Sequence, residues 1–140
     1  MRRCKAIASG GEDAIALRGI YAGVREFLFR QTTSAAFKEA LAGGRYAGSL
    51  REMASRSIAE IRKAAASYDR QVATHAEKIA NPEQALADWN KMSRMEQRGL
   101  LQKWQRDMER NANLRDVMKD LARMKQSAIC TGSRIPGNCP

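Results

Sequence analysis

From Ile58 to Ile79 the seam positions return at alternating spacings of three and four: Ile58, Ile61, Ala65, Tyr68, Val72, His75 and Ile79. That is a heptad pattern, the mark of a long helix laying one narrow stripe against neighbouring helices. Ser49 with Glu52 fits a capping box at its start, and Asn81-Pro82 stops it. The pattern predicts one helix over about 50–80, roughly 45 Å long at its standard rise per residue.

The flanking segments read the same way. Residues 1–11 are a lead-in ending in Ser-Gly-Gly. Leu17, Ile20, Tyr21, Val24, Phe27 and Leu28 give an amphipathic helix over 12–30, with Gly19 and Gly23 placed for close approach of another backbone. Thr32, Thr33 and Ser34 offer caps for a short helix carrying Phe37 and Leu41 inward, and Gly43-Gly44 ends it. After Asn81, Pro82 suits a first helical position. Leu86, Trp89 and Met92 form one row, Ser93 with Glu96 a second capping box, and Leu101, Trp104 and Met108 a further apolar side. Asn111-Ala-Asn113 precedes a last helix with Leu114, Val117, Met118 and Leu121 inward. The rest, 127–140, reads as an irregular tail rich in Cys, Gly and Pro.

No stretch alternates with period two, so the expected fold is all-α: an elongated antiparallel helical bundle around helix 50–80, one domain over 12–126. If that helix finds too few neighbours within the chain, its stripe would instead make a homodimer.

Composition sharpens this. Hydrophobic residues make up 44% of the chain but aromatics only 6%, the balance of close-packed helices. The formal net charge is +10, which implies an acidic partner or surface (nucleic acid, anionic lipid or an acidic protein), the alternative being a solvated basic surface with no dedicated partner. No run reaches the roughly 18 apolar residues of a membrane span, and MRRCKAIASGG is too short in apolar residues for a signal peptide, so a cytoplasmic protein is expected. With three cysteines in all, Cys130 and Cys139 are expected to be plain tail thiols, able to pair in an oxidising compartment.

Candidate chemistry is sparse. His75, the single histidine, sits on the seam and is expected to bond a polar neighbour rather than to act in catalysis or hold a metal. Carboxylates mostly lie three or four from Arg or Lys, as surface helix pairs do. No phosphate loop, nucleotide fingerprint or nucleophile elbow is present, so no enzyme, cofactor or small-molecule substrate is expected. Trp89 and Trp104 fit apolar rows, as core anchors rather than base-stacking surfaces. The basic side chains carry more information. Arg94, Arg98, Lys103, Arg106, Arg110, Arg115, Lys119 and Arg123 form the candidate contact surface for a protein partner or for phosphates.

The run ADWNKM followed by WQRDMERNANLRDVMKDLARMK resembles the C-terminal helical region of conjugative relaxases. AGSLREMASRSIAEIRKAA, leading into the long helix, is similar to intracellular-delivery domains of type IV secretion substrates. The resemblance covers about half the chain and implies a basic, non-catalytic helical module recognised by a secretion or DNA-transfer complex. One histidine cannot supply a relaxase's nicking centre, so no catalytic residue carries over. A nucleic-acid-binding helical protein and a structural subunit of a larger assembly are the two other expectations.

Overall fold

Residues 33–132 are described by a computed structural model, and among them every regular element is helical. The lead-in 1–11, the expected helix 12–30 and Cys139 lie outside the described residues.

Ser34 opens helix α1 (Ala35–Leu41): its hydroxyl oxygen accepts from the Phe37 amide at 3.2 Å. Such a bond satisfies one of the donors left over at a helix start. The expected glycine stop is present. Gly43 takes a left-handed φ of 84°, and the Gly43 and Gly44 amides fold back onto the carbonyls of Ala40 and Glu39. This is the paired closure that a residue without Cβ permits. Helix α2 (Ala47–Ala54) follows from Tyr46, whose φ of 71° is unusual for a side chain of that size. Its hydroxyl accepts from Asn113 Nδ2 at 3.2 Å, which pins the strained turn to the last helix.

The helix expected over 50–80 is in fact two. Helix α3 (Ile58–Ala80) begins at Ser57, which trades bonds with Glu60 in a full capping box. The Ser49–Glu52 pair lies within α2 and caps nothing. Two S-x-x-E patterns stand eight residues apart, and the chain breaks at the second. The seam residues named from sequence all belong to α3, so the stripe stands with a later start.

Pro82 leads a single turn, α4 (Pro82–Ala85), and a 3-10 turn over Trp89–Lys91 brings the chain round. The expected break at Ser93 is real: Ser93 and Glu96 form the second capping box, starting helix α5 (Arg94–Gly132). At 39 residues, α5 runs straight through Asn111 and Asn113, where a new start was expected. Neither asparagine caps. Asn111 is buried, and Asn113 is spent on Tyr46. The helix also continues through 127–132, taking in the first part of the expected irregular tail.

Helices α1, α2 and α3 all pack on α5, which replaces helix 50–80 as the organising element. The α3–α5 pair is antiparallel. Lys125 Nζ donates to the carbonyls of Ala54 and Arg56, ahead of α3, whereas Asp69 further along α3 meets the earlier Arg115 and Lys119. The core follows this layout. Phe37, Leu50, Ile61, Ala65, Val117, Met118, Leu121 and Ala122 are buried where α1, α2 and the start of α3 meet the second half of α5. Full burial of Phe37 alone contributes about 2–3 kcal/mol. Towards the other end the seam thins: Tyr68, Val72, His75 and Ile79 are half-buried. Trp89 and Trp104 close that end, stacked with ring centroids 6.1 Å apart and planes 19° from parallel. Both are core anchors, as their rows implied.

Candidate functional site

The eight basic residues nominated from sequence all lie on α5, and the fold divides them into two groups. Arg110, Arg115, Lys119 and Arg123, in the second half, are paired. Arg110 lies 3.6 Å from Asp107, and Arg123 meets the buried Asp120 one turn before it. Arg115, half-buried, reaches Asp116 at 2.9 Å and Asp69 of α3 at 3.1 Å; Lys119 shares Asp69 at 3.3 Å. The electrostatics match. Hydrogen bonding to Asp116, then to Asp69, holds the Arg115 guanidinium above its ordinary range. Hydrogen bonds from Arg115 and then Lys119 hold the Asp69 carboxyl below the usual aspartate range. Arg115 and Lys119 brace α3 against α5 through Asp69, while Arg110 and Arg123 pair with carboxylates of α5 itself.

Arg94, Arg98, Lys103 and Arg106 are different. All four are exposed, and none has an ion pair among the described residues. From Gln97 to Arg106 the helix reads QRGLLQKWQR, without a carboxylate. Leu100, Leu101 and Trp104 turn towards the partly or fully buried side, which leaves the opposite face to cations, glutamines and Gly99. Arg94 to Arg106 spans roughly 18 Å of helix axis. Next to Arg94, Met95 is 84% exposed, an apolar side chain standing among the charges.

Among the described residues the remaining candidates assemble no reactive centre. The Nδ1 of His75 is buried and lacks a hydrogen-bond partner, so the polar neighbour expected for it is missing among the described residues. No group of His, Cys, Asp and Glu among the described residues could hold a metal ion. Cys130 lies on the last turns of α5 and is disulfide-bonded, not the plain thiol expected. No described helix is long and apolar enough to cross a membrane.

Sequence reasoning found the cations but not their division. The i,i+3 pairs Asp107–Arg110 and Asp120–Arg123 were legible as spacings. Asp69, 46 residues before Arg115, was not. Sequence reasoning also passed over Met95 and Gly99, which carry no charge to draw the eye. No protein-family model, curated protein or solved structure matches this chain. The resemblance to relaxase and delivery-domain helices therefore stands on its quoted residues alone.

Proposed function

We propose that this protein is a non-enzymatic interaction module that offers the outer face of α5 to an acidic surface of a partner protein. The observation carrying this reading is the contrast along one helix. Four exposed cations, Arg94, Arg98, Lys103 and Arg106, lack a carboxylate partner among the described residues, while the four beyond them are paired. Unanswered positive charge on a rigid helix raises the encounter rate with an acidic partner and fixes its orientation.

An acidic protein fits better than a phosphate backbone for two reasons. The four unpaired cations of α5 by themselves would meet few phosphates, and counterion release from few contacts gives weak binding. Met95 adds apolar area that a phosphate backbone cannot use and a protein surface can. The sequence resemblance makes a secretion or DNA-transfer complex the first assembly to probe.

The test compares binding of the full chain to poly-L-glutamate and to a short mixed-sequence DNA duplex across a salt series, with the triple variant R94E/R98E/R106E alongside. Polyglutamate binding that the triple variant loses, at unchanged helicity, is the expected result. Polyglutamate binding that survives the reversal would overturn the proposed surface. Duplex binding tighter than polyglutamate, falling steeply with salt, would replace the protein partner with nucleic acid.

A further inference from the structure

Gly99 lies inside α5 on its exposed side, and a Cβ built there meets nothing within 4 Å. Its backbone is helical, so no left-handed turn requires glycine, and no packed neighbour among the described residues does either. Glycine in a helix interior weakens the helix relative to alanine. Among the described residues the fold carries that cost at position 99 without any return.

Helical spacing puts Gly99 in the middle of the unpaired face. Met95, Gly99, Gln102 and Arg106 follow at four, three and four, one row along the cylinder, with Arg98 and Lys103 beside it. All six are exposed. A bare patch of backbone between long side chains is where a second helix can come close, since the interaxial distance is set by the side chains at the crossing. A second copy of this chain would bring arginine against arginine, and like charges facing each other oppose association. Charge complementarity selects the opposite kind of helix.

We propose that Gly99 is the crossing point for an amphipathic acidic helix of a partner protein, with Met95 in its apolar stripe and Arg98, Lys103 and Arg106 on its flanking carboxylates. This rests on the reading of the α5 face given above and adds the partner's secondary structure and contact geometry. It is the helix-to-helix form of recognition, in which a few anchors along one face carry the binding. A side chain at position 99 would hold the partner off while strengthening α5 itself. Binding and stability should therefore move in opposite directions.

The experiment is selection of binders to the immobilised full chain from a phage-displayed library of helical peptides, at near-physiological salt. The selected peptide is then titrated against wild type, G99A, G99L and R98E/R106E, with Tm measured for each. Selected peptides should carry acidic flanks on either side of a small or apolar stripe. G99L should weaken binding by roughly tenfold or more, a change of about 1.4 kcal/mol, while G99A raises Tm. A library that yields no acidic helix overturns the proposal, as does G99L binding within about twofold of wild type. If R98E/R106E abolishes binding and G99L leaves it intact, the basic surface stands and the helix crossing falls. If neither variant matters, both readings fall.

Discussion

Replacing Asp120 by alanine should cost about 3–4 kcal/mol, and the loss should appear first at α1. The Asp120 carboxylate is 1% exposed. One oxygen accepts from the Ser34 amide at 2.9 Å and from the Ser34 hydroxyl at 2.7 Å; the other faces Arg123. Ser34 is itself the cap of α1, so a single carboxylate fixes both the first donor of that helix and the orientation of its capping side chain. Hydrogen bonds to a charged acceptor are worth about 1.5–3 kcal/mol each. The Arg123 pair adds little, about 0–1 kcal/mol, because that side chain is half exposed and water can take over its charge. Partial access of water to the stranded Ser34 amide lowers the sum to the figure above. The loss is a large share of a domain stability of about 5–15 kcal/mol. Urea unfolding followed by far-UV circular dichroism gives the global change, and hydrogen exchange at the Phe37 and Ala40 amides shows whether α1 lets go first. D120N, which keeps the shape and one acceptor, should lose about half as much. If D120A unfolds within about 0.5 kcal/mol of wild type and α1 stays protected, Asp120 does not hold the head of the bundle together.

Two further outcomes follow from named contacts. Trp104→Ala should cost about 3 kcal/mol, the lower end for a buried indole because its neighbours at that end of the bundle are half exposed. It should also remove the near-UV dichroism of the Trp89–Trp104 stack, and an unchanged Tm would show that the stack does not hold the end closed. For Asp69, the folded-state pKa lies below the ordinary 3.8 because of Arg115 and then Lys119. The stability it contributes is therefore complete above that value and is lost as pH falls through the lower folded pKa. The urea midpoints of wild type and D69N should differ at pH 7 and converge towards pH 2. A gap that stays constant with pH would mean that Asp69 is not ionically engaged in the fold.

What the sequence made legible, and what it hid, follows from how far each cause reaches along the chain. The α3 seam, the Gly43 stop, the Ser93–Glu96 start and the burial of both tryptophans depend on neighbours within a turn or two. Those were read correctly. The start of α3 was missed because Ser49–Glu52 and Ser57–Glu60 offer the same local signal. The choice rests on events farther away: Lys125, 69 and 71 residues on, takes the carbonyls of Arg56 and Ala54 and seals the break. The continuity of α5 was missed for a related reason. Asparagine favours helix ends when its side chain is spent locally. Here Asn113 is spent on Tyr46, 67 residues earlier in the chain.

The same reach explains why the candidate surface could be nominated but not delimited. A cation's value to a partner depends on what already neutralises it, and that is a tertiary property. Asp69 changes the standing of both Arg115 and Lys119, though nothing in the spacing of α5 points to it. Gly99 shows the converse. Read alone it is a small defect in a helix; once the fold shows that nothing within the described residues needs it, the defect becomes the most specific feature of the exposed face. A residue that costs stability and serves no contact among the described residues marks the position where the next contact has to come from beyond them.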